Sequence, residues 1–283
     1  MFVFSKKLEG YREEIENFMR GYLESLDIGD DLKETISYAV FSGGKRFRPA
    51  IILHIGASLQ VPRNKLLWPA AGVEFIHSYS LVHDDLPALD NDAERRGKPT
   101  LHVKFGEDMA VLAGDALALL APQIVLESHF LTEKEKVRIA LELTRRGGAE
   151  GIVEGQIADI RPKERTKEWV EYVFSKKTAP LFEFCMWVCG YLAGKFEAEL
   201  LRFGKLLGLA FQARDDLLDA AEGKVDTTGI SVVDVLGKDE TERLINNWDK
   251  EANKIAERIE KAGMERLSRD LMEVFNFAVH RNV

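Results

Sequence analysis

The chain has 283 residues, enough for one large domain or two small ones, with 46% hydrophobic and 30% charged residues and a net charge of −8. That acidic balance argues against a general nucleic-acid binder, which needs a basic face. The opening Met1-Phe2-Val3-Phe4-Ser5-Lys6-Lys7 lacks the basic-then-apolar order of a signal peptide. The longest apolar run, Ala179–Ala193, is interrupted by Glu183 and falls short of the roughly 20 residues of a spanning helix, so a cytoplasmic protein without a membrane span is expected.

Helical periodicity dominates the chain. Leu8, Tyr11, Ile15, Phe18, Tyr22 and Leu26 recur at three- and four-residue steps and predict an amphipathic first helix. Gly43-Gly44-Lys45-Arg46-Phe47-Arg48-Pro49 follows, with three cations behind two glycines and ahead of a proline. Glycines let a backbone approach an anion, and Pro49 can open a helix whose N-terminus favours negative charge. Thr132 and Glu135 form a capping-box pattern ahead of Val137, Ile139, Ala140 and Leu143. Lys176-Lys177-Thr178 opens a helix that is apolar around most of its circumference. In it Cys185 and Cys189, four apart, read as small buried residues, with no further Cys or His nearby to complete a zinc site. Thr241–Glu260 reads as a helix with a charged outer side. No alternating strand is convincing; Val232, Val233 and Val235 are β-formers in a short segment between Gly229 and Gly237. No low-complexity linker divides the chain, so a single all-α domain over residues 1–283 is the economical reading.

Two aspartate-rich stretches carry the chemistry: His83-Asp84-Asp85-Leu86-Pro87-Ala88-Leu89-Asp90 and Gln212-Ala213-Arg214-Asp215-Asp216-Leu217-Leu218-Asp219. Carboxylates this crowded repel one another, and burial raises the cost. Hard divalent cations such as Mg²⁺, which take carboxylate, water and phosphate oxygens, explain such clusters best. Asp215 and Asp219 are four apart and share a helix face. Asp84 and Asp90 are six apart, and an ideal helix would turn them roughly 120° away from each other. Pro87 must disturb the ladder, so the helix is expected to end or bulge at Leu86-Pro87 and let Asp90 swing back toward Asp84. Arg95-Arg96-Gly97-Lys98 follows directly, and a diphosphate needs such a set, with metals on one side and Arg and Lys on the other.

These segments resemble the trans-isoprenyl diphosphate synthases, the farnesyl and geranylgeranyl diphosphate synthase family. The likeness runs from Gly-Gly-Lys-Arg to Arg281-Asn282 and is most specific from His77 through Arg96 to Thr100. It implies an all-helical bundle around a deep central cavity, a homodimer, three Mg²⁺ ions (Mn²⁺ as a substitute) and two substrates. Asp84, Asp90 and Asp215 match the principal metal ligands, with Asp85 and Asp219 supporting. Lys45, Arg48, His77 and Arg96 match the pocket for isopentenyl diphosphate. Arg95, Lys177, Thr178, Gln212 and Lys238 match the surroundings of an allylic diphosphate bound between the two motifs. Gln156 and Asp159 match a further cavity-lining segment. The chemistry implied is ionisation of the allylic diphosphate, attack by the isopentenyl double bond and loss of a proton to the released diphosphate, with no protein general base. Tyr79, with Ser80, lies about one turn before Asp84 and reads as the cavity floor; the resemblance, whose farnesyl type carries an aromatic there together with a Leu-Pro insertion like Leu86-Pro87, implies a C15 product, farnesyl diphosphate.

The chain departs from the family after Asp219. The first Gly-Lys of the family pattern is Gly229-Ile230 here, so its lysine is absent, and the second is followed by acidic residues in Gly237-Lys238-Asp239-Glu240-Thr241. The loop is about two residues short, and Lys224 could substitute from a different place, though its spacing argues against it. A geranylgeranyl (C20) synthase and a non-catalytic partner subunit are the alternatives; Tyr79 speaks against the first and two intact aspartate motifs against the second. An HD-type phosphohydrolase, raised by His83-Asp84, needs more ligand histidines than the six in the chain supply.

Overall fold

Runs of leucine, alanine and charged residues at three- and four-residue spacing leave most of the described chain helical. The computed structural model describes residues 3–223 and 229–280. In chain order the elements are α1 (Val3–Ser25), α2 (Asp30–Phe41), α3 (Phe47–Ser58), α4 (Arg63–Asp84), β1 (Glu94–Arg95), β2 (Lys98–Pro99), α5 (Leu101–Phe105), α6 (Glu107–Leu126) and α7 (Glu133–Gly147). There follow α8 (Ile152–Ile160), α9 (Lys167–Lys177), α10 (Ala179–Ala193), α11 (Glu197–Ala221), α12 (Val232–Leu236), α13 (Lys238–Lys261) and α14 (Glu265–Val279). The fold is all-α, and its two-residue strands form one antiparallel hairpin. Two compact units interleave in sequence: the first is Lys7–Leu53 with Pro62–Thr144, and the second is the chain through Lys6, His54–Val61 and everything from Arg145.

In the first unit α4 runs along α6, and α2 packs on both. The buried line of α1 is Ile15, Met19 and Leu23, flanked by the predicted stripe at Leu8, Tyr11, Phe18 and Tyr22. α7 begins on the expected capping box: Thr132 N donates to Glu135 Oε2 at 2.7 Å, and Glu135 N donates to Thr132 Oγ1 at 3.3 Å. Among the described residues α6 is the one helix long and apolar enough to cross a membrane by length and composition; the sequence reading had named only Ala179–Ala193. Arg46, 3% exposed and at a positive φ of 49°, is the polar pin of this unit. It donates to Glu16 Oε1 at 2.9 Å, to Glu74 Oε1 at 2.9 Å and to the carbonyl of Val40 at 2.6 Å. Of the three cations in that segment, this one is spent on structure, and it fixes the backbone that carries Lys45 and Arg48.

In the second unit α10 lies against α11, and every residue from Ala179 to Gly190 except Glu183 is buried. The approach is close because two glycines of α11 face α10. A Cβ at Gly208 would stand 2.5 Å from Ala179 Cα, and one at Gly204 would stand 2.6 Å from the carbonyl oxygen of Phe182. Cys185 and Cys189 are buried free thiols, as expected, and Cys189 Sγ donates to the Cys185 carbonyl at 3.2 Å. The valine-rich segment is helical: Ser231 caps α12, accepting from Val233 N at 3.2 Å, and local capping overrides the β preference of Val232, Val233 and Val235. α13 and α14 pack together and on α11, closing the unit with strongly amphipathic helices.

Removing Arg46 would leave Glu74, 2% exposed, without its guanidinium. Arg46→Met is expected to lower stability by about 3–5 kcal/mol, the scale of an orphaned buried charge, read as a shift in the urea unfolding midpoint. An unshifted midpoint would remove this ion pair from the interactions that hold the unit.

Candidate functional site

The first aspartate motif is built by the end of a helix. α4 stops at Asp84, earlier than the expected break at Leu86-Pro87, and Asp85 is its C-cap. The chain then turns tightly: Leu89 N donates to the Leu86 carbonyl at 2.9 Å, and Asp90 N donates to the Asp84 carbonyl at 2.9 Å. The backbones of Asp84 and Asp90 therefore meet, as the proline between them requires. Asp85 points elsewhere. It is 4% exposed, and Arg95 holds its Oδ1 through Nε at 2.6 Å and Nη2 at 2.5 Å. Burial pushes the Asp85 carboxyl up from its ordinary value, and Arg95 opposes that rise. Asp84 and Asp90 remain the half-buried pair of the motif.

Arg95 and Arg96 sit on the β1–β2 hairpin, whose turn residues Arg96 and Gly97 both have positive φ (56° and 74°). A hairpin of two-residue strands is too short to show alternation, which is why the sequence reading missed it. Arg96 Nη1 donates to the Gly43 carbonyl at 2.5 Å. A Cβ on Gly44 would stand 2.4 Å from that Nη1, so the glycine makes room for a guanidinium. The space beside Gly44 is therefore filled by a side chain of the protein and not by an approaching anion. Arg48 Nη1 lies 3.4 Å from His77 Nε2. Arginine only donates, so His77 Nε2 accepts and the ring is neutral with its proton on Nδ1. Desolvation by burial, then Arg48, Arg96, Arg46 and Arg95, holds the His77 pKa well below its ordinary value. Lys45 is exposed beside them. Tyr79 is 8% exposed, one turn before His83 and in edge contact with its ring at 5.9 Å. Its phenol is pushed up to about 12 by burial and by Asp84. Ser80 Oγ donates back to the His77 carbonyl at 3.0 Å. Ser78, Asp85, Arg95 and Arg96 line a small pocket with Tyr38 and Leu101.

The second unit carries the second motif on a regular helix. Asp215 and Asp219 lie one turn apart on α11, the first half-buried and the second exposed. Asp216 turns away from them. Its Oδ1 accepts from Gln212 Nε2 at 3.0 Å, and its Oδ2 accepts from Val232 N at 2.7 Å. Burial pushes its carboxyl up to about 6 against these donors. Sequence reasoning had given Asp216 no role, although a position about 100° from Asp215 on the helix already points off the shared face. Lys177 ends α9 and pairs with Asp159 Oδ2 at 2.5 Å. Thr178 joins α9 to α10 and donates to Gln212 Oε1 at 2.8 Å. Gln156, on α8 and 9% exposed, has neither amide atom hydrogen-bonded among the described residues. Lys238 is not drawn into this network: it is exposed in the first turn of α13 beside Asp239 and Glu240. Lys224 and the terminal Arg281-Asn282 lie outside the described residues.

Both units thus place carboxylates beside guanidinium or ammonium groups. The family model described as polyprenyl synthetase matches residues 30–272. The chain belongs to the polyprenyl synthetase family. It is 39% identical over 225 residues to a farnesyl diphosphate synthase of Bacillus subtilis, covering 77% of this chain and 76% of that one. It is 35% identical over 247 residues to a chloroplastic geranylgeranyl pyrophosphate synthase of Arabidopsis thaliana, covering 83% and 69%. Among solved structures, a geranyltransferase of Helicobacter pylori complexed with magnesium and isoprenyl diphosphate superposes with a TM-score of 0.82 at 28% identity, over 95% of this chain and 96% of that one. The all-α architecture is the isoprenoid synthase fold, and this family member is a prenyltransferase.

A neutral His77 has a stability consequence with a definite sign. The unfolded chain takes up a proton at this residue as pH falls through about 6.5, and folded His77 does not, so acidification over that window favours unfolding. Urea stability is expected to fall between about pH 7 and pH 5, and to fall less steeply in His77→Gln. Equal slopes for the two proteins would show that His77 is protonated in the folded state.

Proposed function

We propose that this chain condenses isopentenyl diphosphate head-to-tail with dimethylallyl or geranyl diphosphate, giving farnesyl diphosphate. The observation that carries the reading is the pair of carboxylate sets, each backed by cations, in one member of this family. Asp84, Asp90, Asp215 and Asp219 offer only carboxylate oxygens, which fits a hard cation and points to Mg²⁺, with Mn²⁺ able to substitute. Asp84, Asp90, Asp215 and Asp219 would hold the ions, three by the family pattern. Asp85, taken up by Arg95, would orient that arginine and not act as a primary ligand. Bound Mg²⁺ supplies charge neutralisation at the departing allylic diphosphate.

The protein's own groups do the rest. Lys45, Arg48 and Arg96 neutralise the diphosphate of isopentenyl diphosphate, and neutral His77 holds Arg48 in place by accepting from it. Arg95 and Lys177 answer the charge that builds as the allylic C–O bond breaks, with Lys238 at the periphery. Thr178, Gln212 and the unpartnered Gln156 offer oxygen dipoles toward the allylic cation. No side chain is assigned as base; the released diphosphate takes the proton. Tyr79, with Ser80 behind it, closes the path of the growing chain and supports a C15 product. A C20 product is the second reading, favoured by the geranylgeranyl relatives.

The family match is continuous over 30–272, which supports reading both units as one polyprenyl synthase domain. We also read the chain as a cytoplasmic homodimer. Exposed apolar residues, Val111 (42%), Leu112 (56%) and Leu119 (72%) on α6 and Val137 (61%) and Leu141 (41%) on α7, support that reading, since a subunit partner would cover such side chains. The mass in solution, against 32.0 kDa for one chain, decides that point.

The deciding assay is purified protein with Mg²⁺, labelled isopentenyl diphosphate and each allylic starter, with the products sized. Condensation is expected with wild type and a loss of roughly a thousandfold or more in Asp84→Ala and in Asp215→Ala. No condensation with any starter sinks the assignment, and near-normal activity in either variant removes that residue from the metal set. Tyr79→Ala is expected to shift the product toward C20 by mass spectrometry; an unchanged distribution would refute the floor assignment.

A further inference from the structure

Ile230 stands where the family pattern has a lysine, and its side chain is 4% exposed, packed inward. Its backbone has been put to use. Ile230 N donates to Asp159 Oδ1 at 2.8 Å, and two residues on Val232 N donates to Asp216 Oδ2 at 2.7 Å. The other oxygen of each carboxylate leads to adjacent residues of the α9–α10 junction. Asp159 Oδ2 takes Lys177 Nζ at 2.5 Å. Asp216 Oδ1 takes Gln212 Nε2 at 3.0 Å, and Gln212 Oε1 takes the Thr178 hydroxyl at 2.8 Å. An ionised carboxylate only accepts, so Gln212 must turn its nitrogen to Asp216 and its oxygen to Thr178. Two threads of hydrogen bonds therefore run from the Ile230–Val232 segment to Lys177 and Thr178.

We propose that Asp159 and Asp216 are positioning residues that stitch the Ile230–Val232 segment to the Lys177–Thr178 junction, so that this segment's backbone sets the reach of Lys177 and the orientation of Gln212. The Ile230 side chain is buried, so what this segment offers is its backbone, with N–H donors at 230 and 232 held by Asp159 and Asp216. The substrate named here rests on the proposed condensation, whereas the stitching is a property of the resting protein. The two are separable by experiment.

Asp159→Asn and Asp216→Asn keep the side-chain shape but leave only one acceptor oxygen where two donors need one each. Val232→Pro deletes the Asp216 thread without touching an ionisable group. Proline suits the first residue of a helix, and Ser231 before it is extended (φ −91°, ψ 135°), as a residue preceding proline should be. Hydrogen exchange by mass spectrometry over residues 230–236 is expected to quicken about tenfold in Asp159→Asn and Asp216→Asn, with melting temperatures within a few degrees of wild type. The KM for the allylic diphosphate is expected to rise about tenfold in all three variants, while that for isopentenyl diphosphate stays within about twofold. Unchanged exchange in both Asn variants overturns the proposal, and so does an equal rise in the two KM values. A wild type that condenses nothing would overturn the assigned reaction and leave the exchange result to judge the stitching.

Discussion

A carboxylate set among other carboxylates, out of water, must have its charge answered. The local structure around both aspartate motifs is arranged by how each one is answered. Asp85 and Asp159 each take a permanent cation, Arg95 and Lys177. Asp216 takes neutral donors, a backbone N–H and a side-chain amide, and burial raises its pKa. Asp84, Asp90, Asp215 and Asp219 are left half-buried or exposed at the surface of their motifs. The cations obey the same rule from the other side. Arg46 satisfies two glutamates and a carbonyl, and its neighbours Lys45 and Arg48 are the ones left facing outward or facing His77. Burial and pairing thus differ along each motif: Asp85, Asp159 and Asp216 are tied into the surrounding structure, while Asp84, Asp90, Asp215 and Asp219 keep more of their surface open.

Much of this was legible in the sequence because it depended on local rules. The capping box at Thr132 and Glu135, the bounds of the apolar helix Ala179–Ala193 and the return of Asp90 toward Asp84 each follow from a few neighbouring residues, although the helix ends at Asp84, two residues before the expected Leu86-Pro87 break. What was not legible depended on residues far apart in the chain or on elements too short to have a period. The Arg95–Arg96 hairpin spans two residues per strand. Arg46 looked like one of three equal cations until Glu16 and Glu74 were seen to close on it. The valines of α12 favour a strand by composition, yet Ser231 and the bond from Val232 N to Asp216 start a helix there. Gly44 was assigned the correct freedom and the wrong neighbour, since it is Arg96 that occupies the space a side chain would need.

The two aspartate motifs bring their carboxylates together by different mechanics. In the first, a helix ends and a turn returns the chain, so the spacing of six residues becomes a backbone contact between Asp84 and Asp90. In the second, the helix continues, and spacing alone stacks Asp215 over Asp219. A turn can be tuned by its loop residues with little effect on the helix before it. A motif in mid-helix can be moved only by moving the helix.

That last distinction gives the Gly204–Gly208 contact a wider meaning. Counting around α11, Gly204, Gly208, Asp215 and Asp219 fall on one stripe, within about 60° of each other. The lower half of the stripe is pressed against α10 at Phe182 and Ala179, and the upper half runs on beyond the first residue of α10. The glycines act as an index mark on a shaft: they admit α10 at one azimuth of α11 only, and that azimuth aims both carboxylates. Gly208 is about 10 Å along the axis from Asp215, so a methyl group added in the packed core would be transmitted as a rotation of the Asp215 and Asp219 side chains.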